Sequence, residues 1–482
     1  MNIGRRVLAF LVWVTLLALT GCGGGSSPCT SCTVGGMVSG LQTNESVALV
    51  NNGGEALMVS GDGGFTFSNS QVQGSTYDVT VKFHTPGIEC SVANGSGTVG
   101  TSDVTGIAVA CASGTESVFY SFLGGTTDGL SPAAGLIMDS DGNLYGTTSA
   151  GGPSDVGTVF KISSTGMETV LYSFAGGTTD GLRPFAGLIM DSDGNLYGTT
   201  FGGGTNNGGT VFKISSTGTE SVLYSFKFKA GTTDGWGPFA GLIMDSAGNL
   251  YGTTFDGGTN NGGTVFKISA TGTETVLYSF KGGTTDGDGP RAGLLMDSAG
   301  NLYGTTEFGG TNNGGTVFKI SATGAESVLY SFRGGTTDGA NPLYGALIMD
   351  SAGNLYGTTS VGGPGNDGTV FKISPTGAES VLYSFKGGAA DGAIPDSGLV
   401  ADGAGNLYGI TSSGGANNRG TVFKISGAGT ESILYSFAGG ASDGSGPVGL
   451  MMDSAGNLYG TTDFGGAYCV SQGGCGTVFK IN

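Results

Sequence analysis

A tandem repeat constrains the fold of this chain more than any other feature. The tetrapeptide NLYG recurs seven times at steps of 51 to 54 residues, and the hexapeptide GTVFKI and the tripeptide YSF also occur seven times each. NLYG begins at Asn143, Asn195, Asn249, Asn301, Asn354, Asn406 and Asn457. A unit of this length cannot bury its apolar face alone, so each repeat must pack against its neighbours.

Each full repeat contains four short apolar runs with the length and turn boundaries of strands. In the second repeat they are AGLIMD (186–191), NLYGTT (195–200), GTVFKI (209–214) and ESVLYSF (220–226), here named strands A, B, C and D. Short turns join A to B and C to D, whereas longer loops join B to C and D to the next A. Four antiparallel strands at this period predict the blade of a β-propeller. The alternative, a β-helix, has much shorter coils.

The two ends of the repeat region complement each other. The region begins with a D strand, ESVFYSF (116–122), that has no A, B or C strand before it, and it ends after the last strand C. The seven D strands match the seven A–B–C sets only if the first D strand completes the last blade. We therefore expect an all-β fold in which residues 116–482 form a seven-bladed β-propeller, closed by an N-terminal D strand in a 1+3 clasp.

Residues 33–112 contain no copy of the repeat. Short runs such as SVALVNN and TYDVTVKF alternate apolar and polar residues between Gly, Asn and Asp boundaries. This pattern is typical of half-buried strands. It predicts a small β-sandwich domain before the propeller, with Cys90 and Cys111 as its disulfide.

Residues 1–21 have the features of a secretory signal peptide. Arg5 and Arg6 precede an apolar run over 7–19, which is too short and wrongly flanked for a spanning helix. The alternative is a membrane anchor that is retained.

The tetrapeptide LTGC at 19–22 resembles the lipobox of bacterial lipoproteins. The resemblance implies cleavage before Cys22 and lipid attachment to Cys22. Because Gly23 follows, it also implies transfer to the outer membrane, on its periplasmic or its surface face. Residues 22–32 would then be a flexible Gly/Ser tether between the lipid and the folded protein.

The remaining six cysteines form three pairs that are close in sequence. The pairs are Cys29 with Cys32, Cys90 with Cys111, and Cys469 with Cys475. An exported protein meets an oxidising compartment, so we expect disulfides. The first pair also allows a metal site or a redox-active pair, but it supplies only two ligands where zinc takes four. We expect no metal and no cofactor.

Charge and composition exclude several classes of protein. The formal net charge is −18, so the chain has too little positive charge to neutralise a nucleic-acid backbone. Its 100 glycines come with only 12 prolines and no Gly-X-Y period, which excludes collagen. An apolar content of 38% with 11% charged residues does not fit a disordered chain.

The motifs GNLYGTT, GG.NN.GTVFKI and E(S/T)VLYSF.GGTTDG resemble the GloVer repeat, a tandem-repeat family of bacteria. The resemblance covers about residues 116–482. It implies an exported protein, since the family occurs in exported bacterial proteins with varied anchors. The family carries no assigned biochemical activity, so the resemblance leaves the function open.

The long D–A and B–C loops of a propeller emerge on one face, where functional residues usually lie. Each D–A loop carries one aspartate followed by glycine. The seven are Asp128, Asp180, Asp234, Asp286, Asp338, Asp391 and Asp443. They are candidates for an acidic rim that attracts cations or binds sugar hydroxyls. The alternative is that each aspartate caps its own turn by accepting backbone N–H bonds, and the identity of all seven copies favours it.

Loop residues that differ between repeats are the more informative candidates for binding, because aromatic and arginine side chains are enriched in binding hot spots. They are Trp236, Tyr344, Phe185, Phe201, Phe239, Phe255, Phe308 and Phe464, with Arg183, Arg291, Arg333 and Arg419. The alternative is that the aromatic rings only pack over the blade ends. The last B–C loop differs most, since it contains Cys469 and Cys475.

Catalysis has little support in the sequence. The repeat region contains no histidine, which a Ser-His-Asp triad needs as its base. The sequence DSDGN at Asp139 and Asp191 resembles part of a calcium loop, but most repeats lack the middle carboxylate, so we expect a turn.

We therefore expect a monomeric, non-enzymatic binding or scaffold protein at the cell envelope. Besides the membrane, its partner would be a glycan or an envelope protein. The alternative function is an enzyme that acts on carbohydrate or another polymer through carboxylates on the loop face.

Overall fold

The computed structural model describes seven stretches of the chain. They are residues 29–41, 45–54, 56–84, 88–113, 116–227, 233–469 and 473–482. Cys22 and the signal segment lie outside them and stay predictions. Throughout the described residues the regular secondary structure is β-strand, which confirms the all-β fold. No helix within these stretches is long and apolar enough to cross a membrane.

The region before the repeats forms two four-stranded sheets. The first has the order Gly63–Thr66, Val34–Ser39, Val104–Ser113 and Ile88–Ala93, and the second has the order Leu57–Val59, Val47–Asn51, Thr76–His84 and Ser96–Thr98. Val34–Ser39 and Val104–Ser113 run parallel, and all other neighbours are antiparallel.

One apolar core lies between these two sheets. Val34 and Ile107 reach it from the first sheet and Leu49 and Val79 from the second, and each of them is at most 2% exposed. A disulfide between Cys90 and Cys111 joins the edge strand Ile88–Ala93 of the first sheet to its neighbour Val104–Ser113, at a Cα–Cα distance of 4.0 Å. The core and the disulfide together stabilise a region of short strands that has little surface to bury.

The repeats form seven further sheets in the described part of the chain, each with strands A to D in spatial order. The first sheet has Ile137–Met138, Leu144–Gly151, Thr158–Ile162 and Glu168–Ser173, with Gly129–Pro132 added beside strand B; the second has Ile189–Met190, Leu196–Thr200, Asn207–Ile214 and Glu220–Lys227; the third has Ile243–Met244, Leu250–Thr254, Thr264–Ile268 and Glu274–Ser279; the fourth has Leu295–Met296, Leu302–Thr306, Thr316–Ile320 and Glu326–Ser331. The fifth has Ile348–Met349, Leu355–Thr359, Thr369–Ile373 and Glu379–Ser384; the sixth has Val400–Ala401, Leu407–Thr411, Thr421–Ile425 and Glu431–Ser436; the seventh has Gly444–Met452, Leu458–Gly465, Thr477–Ile481 and Glu116–Ser121.

Five two-stranded ribbons pair the D–A loop with the B–C loop of the same repeat. They are Gly181–Leu182 with Gly202–Gly203, Gly235–Trp236 with Asp256–Gly257, Gly287–Asp288 with Phe308–Gly309, Gly339–Ala340 with Val361–Gly362, and Gly392–Ala393 with Ser413–Gly414. They hold the two long loops of a repeat together on one side of its sheet.

In six of the seven sheets strand A is shorter than the sequence predicts, and only in the seventh does it extend over Gly444–Met452. The run AGLIMD predicts a strand over 186–191, but only Ile189–Met190 pairs with strand B. Ala186 and Gly187 instead line a cavity between the repeats. The apolar pattern indicates burial, and here part of that burial is against other repeats.

The seventh sheet takes its outer strand from the start of the repeat region. Glu116–Ser121 pairs antiparallel with Thr477–Ile481, and Ile481 lies opposite Glu116. The register and its bulge are the same as in the second sheet, where Ile214 lies opposite Glu220. The two ends of the repeat region therefore form one ordinary C–D strand pair.

Buried phenylalanine pairs connect each sheet to the next. Phe174 follows the first strand D and contacts Phe212 in strand C of the second sheet, with ring centroids 5.1 Å apart. The same contact recurs at 5.0 Å between each later pair of consecutive sheets. Phe122 follows strand D of the seventh sheet and contacts Phe160 of the first at 5.0 Å. The contacts thus link the last sheet to the first.

The same packing requires the glycine of NLYG. At Gly198 a Cβ atom would lie 2.6 Å from the ring of Phe212 and 3.0 Å from Leu188. A larger residue would displace the ring that contacts the neighbouring sheet, because cores at this density tolerate little added volume.

A glutamate begins every strand D and lies at the contact between two sheets. Glu168 has a buried Oε1 atom without a hydrogen-bond partner. Burial raises the pKa of Glu168 to about 7. The negative charge of Asp128, in the D–A loop that leads into the first sheet, is the second cause. The pKa is also raised to about 7 in the other six copies, at Glu116, Glu220, Glu274, Glu326, Glu379 and Glu431.

These pKa values predict that the protein loses stability as the pH rises. The pKa of the Glu168 carboxyl group is about 7 in the folded protein and 4.5 ordinarily. Its contribution to the free energy of unfolding is therefore complete below pH 4.5 and is lost as the pH rises through 7. We expect the melting temperature to fall over this window, and Glu168→Gln to make the fall shallower, by about 1–2 °C at pH 8. Asp191 has a lowered pKa, so it titrates below 3.8 and does not affect the window.

Thermal melts between pH 4.5 and 8 check this, with Asp141→Asn as the control because Asp141 is exposed. A parallel pH profile for Glu168→Gln and the unmodified protein would contradict the prediction.

Candidate functional site

The seven loop aspartates are buried and cap their own turns. Asp180 is 5% exposed, and its Oδ2 atom accepts hydrogen bonds from the Tyr172 hydroxyl at 3.0 Å and the Ala175 amide at 2.6 Å. Its Oδ1 atom accepts a bond from the Gly181 amide at 2.6 Å. The other six aspartates are 2–5% exposed. The geometry favours the capping interpretation, and the acidic rim proposed from the sequence does not lie at the surface.

We predict that Asp180→Ala destabilises the protein by roughly 2–4 kcal/mol, because three donors lose their buried acceptor. Asp193→Ala is the matched control, since Asp193 is exposed and the next repeat has alanine there; it should stay within about 0.5 kcal/mol. Denaturant unfolding measures both. Equal midpoints would contradict the capping role.

The DSDGN sequences form turns, as predicted. Asp191 Oδ1 accepts bonds from the amides of Asp193 and Asn195, and Oδ2 accepts from the Asn195 side chain and the Tyr197 hydroxyl. Burial raises the pKa of Asp191, but these hydrogen bonds outweigh it and hold the pKa below its ordinary value. The carboxylate is thus occupied by its own hairpin.

A cavity of about 800 Å³ lies where the D–A segments of all seven repeats meet. Each repeat contributes residues that follow the proline of its D–A loop. These residues include Ala133, Phe185, Phe239, Arg291, Tyr344, Asp396 and Val448. The volume is in the range of about 300–1,000 Å³ that ligand pockets usually have.

One wall of the cavity is aromatic. Phe239 lies at its centre, with ring centroids 5.9 Å from Phe185, 4.6 Å from Phe201, 5.7 Å from Phe255 and 6.4 Å from Tyr344. Phe185, Phe239 and Tyr344 line the cavity, and the other two rings support Phe239. These residues come from three different repeats, and together they present a rigid apolar surface.

Arg291 is fixed within this wall. Its guanidinium carbon lies 4.2 Å from the centroid of Phe255 and 5.0 Å from that of Phe239. It forms an ion pair with Glu307, with Nε and Oε2 2.5 Å apart, and it donates a hydrogen bond to the Tyr344 hydroxyl at 2.9 Å. The charge of Arg291 is therefore balanced inside the wall.

The same cavity is also lined by two carboxyl groups, those of Asp396 and Asp463. Burial raises the pKa of Asp396 to about 6, and a hydrogen bond with Ser412 offsets this only in part. Burial also raises the pKa of Asp463, against a hydrogen bond with Ser131. Of the two ion pairs found in the described residues, neither includes these aspartates.

Only some of the predicted loop residues reach the cavity. Tyr344 and Phe464 line it and are 46% and 44% exposed. Trp236 packs instead against the core between the second and third sheets, and Phe308 lies in a ribbon opposite Asp288. Among the arginines, Arg291 and Arg419 line the cavity, whereas the exposed Arg183 and Arg333 are not among its lining residues.

Sequence reasoning missed Asp396 and Asp463, although a signal for both exists. Asp396 directly follows the proline of its D–A loop, and Asp463 directly follows the last threonine of its strand B. Both positions vary among the repeats. After the last threonine of strand B the residues are Ser149, Phe201, Phe255, Glu307, Ser360, Ser412 and Asp463. Of these, Ser412 and Asp463 line the cavity, so variation between repeats at this position was a signal for Asp463.

The last B–C loop is tied to the start of the repeat region. Cys469 and Cys475 form a disulfide, and Cys475 is fully buried. The Cys475 carbonyl accepts a hydrogen bond from the Ser131 amide at 3.0 Å. Cys29 and Cys32 also form a disulfide, so all three predicted cysteine pairs are joined.

Residues 90–233, 227–404 and 389–482 match the family model of the Gloeobacter/Verrucomicrobia repeat. The chain belongs to this family. The match confirms the resemblance of the motifs, and it begins before the first repeat, in the strand that contains Cys90. No curated protein matches the sequence.

Several solved structures are distantly similar. The extracellular domain of a hybrid two-component system from B. thetaiotaomicron shares 10% identity at a TM-score of 0.48, over 74% of this chain and 39% of that one. A second such domain from the same organism shares 12% identity at a TM-score of 0.46, over 87% and 52%. A structure described as a gluconolactonase shares 14% identity at a TM-score of 0.35, over 61% and 88%. The chain spans about two fifths of the first of these proteins. Similarities this low carry no conclusion about fold or function.

All seven Gloeobacter/Verrucomicrobia repeats have a positive φ at the residue before the loop proline. It is glycine in three repeats and Ser131, Arg183, Asn341 and Ile394 in the others. Ile394, with φ 58°, is the outlier, because a β-branched side chain disfavours this region. It lies two residues before Asp396, so the backbone strain lies at the cavity wall, where strain is often retained for function.

We predict that Ile394→Gly stabilises the protein by about 1 kcal/mol, because glycine adopts this conformation freely. Ala393→Gly is the control, since Ala393 has no positive φ and should lose about 0.5–1 kcal/mol. Denaturant midpoints of both variants check this. A loss of stability in Ile394→Gly would contradict the strain.

Proposed function

We propose that this chain is an exported, lipid-anchored β-propeller protein that binds a ligand at the cell envelope without catalysing a reaction. Residues 1–21 are the signal peptide, residues 22–32 carry the lipidated Cys22 and the tether, and residues 33–112 form a small β-sandwich domain. Residues 116–482 form a monomeric seven-bladed propeller, and its ligand enters the cavity at the ring axis.

The cyclic order of contacts supports the closed ring. Phenylalanine pairs link the seven sheets in sequence and link the seventh to the first through Phe122 and Phe160. The hydroxyl of Thr461 in the seventh sheet also donates to the carbonyl of Ala134 beside the first sheet at 2.8 Å. Equivalent bonds join earlier sheets, as from Thr147 to Ala186 at 2.9 Å. An open arc of sheets would leave these groups without partners.

The observation that carries the binding role is the placement of sequence variation. The repeats are nearly identical in their strands, yet they differ at the positions that line one cavity. Seven identical segments around an axis would create a symmetric opening, whereas this cavity is lined by aromatic rings from some repeats and by carboxyl groups from others. Asymmetry of this kind suits one oriented ligand.

The three disulfides support export, because such bonds persist in oxidising compartments. The size of the cavity suits a small molecule, the end of a glycan or a segment of an envelope protein. The net charge of −18 does not suit nucleic acid.

Binding of the purified chain to panels of glycans, small metabolites and envelope peptides tests the proposed function. We expect a hit whose affinity falls at least tenfold in Tyr344→Ala, since the exposed ring is lost. Asp193→Asn, on an exposed hairpin, should bind normally. No binding across the panels, or a hit that Tyr344→Ala leaves unchanged, would overturn it.

Lipid anchoring is tested separately by metabolic labelling with a radioactive fatty acid. The unmodified chain should be labelled and fractionate with the outer membrane, and Cys22→Ser should be neither labelled nor retained. An unlabelled chain in the producing bacterium would contradict the anchor.

A second candidate function is hydrolysis of a carbohydrate or another polymer. Two carboxyl groups in one cavity, one with a pKa of about 6, favour it, because paired carboxyls perform acid–base and nucleophilic steps in glycosidases. Turnover of a polymer substrate that Asp396→Asn abolishes would establish this function. A broad substrate panel without turnover would remove it.

A further inference from the structure

Aromatic rings and carboxyl groups both line the cavity, and they accept different kinds of ligand group. We propose that the ligand is an organic cation, with an ammonium group held by Asp396 and Asp463 and an apolar or aromatic body held against Phe185, Phe239 and Tyr344. This inference rests on the proposed function of the cavity as a binding site and names the chemical class of its ligand.

The charges that line the cavity favour a cationic ligand. Arg291 is neutralised by Glu307 inside the aromatic wall. Arg419 also lines the cavity but is exposed to solvent. Asp396 and Asp463 have no ion-pair partner in the described part of the chain, and burial disfavours their charged forms. A cationic ligand supplies the counter-charge that these two carboxyl groups lack.

The hydrogen-bond donors of an ammonium group match the acceptors in the cavity. An ammonium presents three N–H donors and no acceptor, which fits carboxylate oxygens, and such charge-assisted bonds are about twice as strong as neutral ones. The rings of Phe185, Phe239 and Tyr344 offer apolar contact area to the body that carries the ammonium group. The chain as a whole, at −18, attracts cations to this opening.

The rim of the cavity is apolar and partly exposed. Tyr344, Ile394 and Phe464 are large apolar residues that are 46%, 38% and 44% exposed. Tyr344 and Phe464 line the cavity and Ile394 is close to Asp396 in the chain. Exposed apolar groups around a polar recess indicate an interaction site. They would cover the body of a ligand whose charged end lies deeper.

A neutral saccharide is the competing class. It could also stack on the aromatic wall and donate hydroxyl hydrogens to the carboxyl groups. It would leave both carboxylates without a counter-charge, however, so the observed lack of basic partners favours a cation.

Three probes with one shared ring separate the classes. Tyramine carries an ammonium, 4-ethylphenol carries no charge, and 3-(4-hydroxyphenyl)propionate carries a carboxylate. We expect the full chain to bind tyramine at least tenfold more tightly than either other probe in calorimetric or NMR titrations. Its affinity should rise between pH 5 and 7 as Asp396 loses its proton, with Asp463, Arg291, Glu307 and Arg419 as the other charged groups at the cavity or its wall.

Variants assign the effect to the carboxyl groups. Asp396→Asn should lower the affinity for tyramine at least tenfold and flatten its pH profile, and the matched Asp193→Asn should change neither. Arg419→Gln removes an exposed competing cation and should strengthen binding about twofold to fivefold. That variant keeps the proposal testable if Asp396→Asn does not fold.

The outcomes separate the two proposals. Equal binding of tyramine and 4-ethylphenol, or binding of a neutral disaccharide but not of tyramine, would overturn the cationic ligand and leave the cavity as a binding site. Tyramine binding that neither Asp396→Asn nor Arg419→Gln alters would also overturn it. If no probe and no member of the wider panels binds, both proposals fail.

Discussion

The pairing of the last strand with the first strand of the repeats is the interaction on which the rest of the structure depends. Thr477–Ile481 and Glu116–Ser121 form the same ladder as every other C–D pair. A repeat chain without this pairing would expose an unpaired strand at each end. In the proposed ring the pairing removes both edges, and it places Phe122 against Phe160 of the first sheet. In this proposed ring the cavity depends on the same closure, because residues of the first and the seventh repeat, such as Ala133 and Val448, both line it.

The repetition itself has physical consequences. Positions that build the sheets are the same in every copy, such as the glycine that admits a neighbouring phenylalanine ring and the aspartate that caps the D–A turn. The glutamate at the start of strand D is also repeated, so one unfavourable burial occurs seven times and couples the stability of the seven sheets to pH. Several residues without these structural roles line the cavity, and at those positions the repeats differ.

Much of the fold could be predicted from the sequence, because a sevenfold pattern repeats each strand and turn signal. The four strands per repeat, the turn at Asp191 and the cysteine pairs follow from local chemistry. Two features did not. The short strand A was predicted too long, since burial of Ala186 against other repeats looks the same in sequence as burial in a strand. Asp396 and Asp463 are 67 positions apart in the chain, and only the arrangement of the repeats places both at one cavity.

Moving the closing strand tests the central claim most directly. In one variant residues 116–122 are deleted, and in a second the deleted ESVFYSF is placed after Asn482 behind an SATG turn. Ring closure predicts that the deletion lowers the melting temperature and broadens the unfolding transition. The second variant should restore both, because the last strand C can pair with a strand D that is supplied from either end of the chain. A deletion variant that melts with the same midpoint and cooperativity as the unmodified protein would contradict ring closure by this strand.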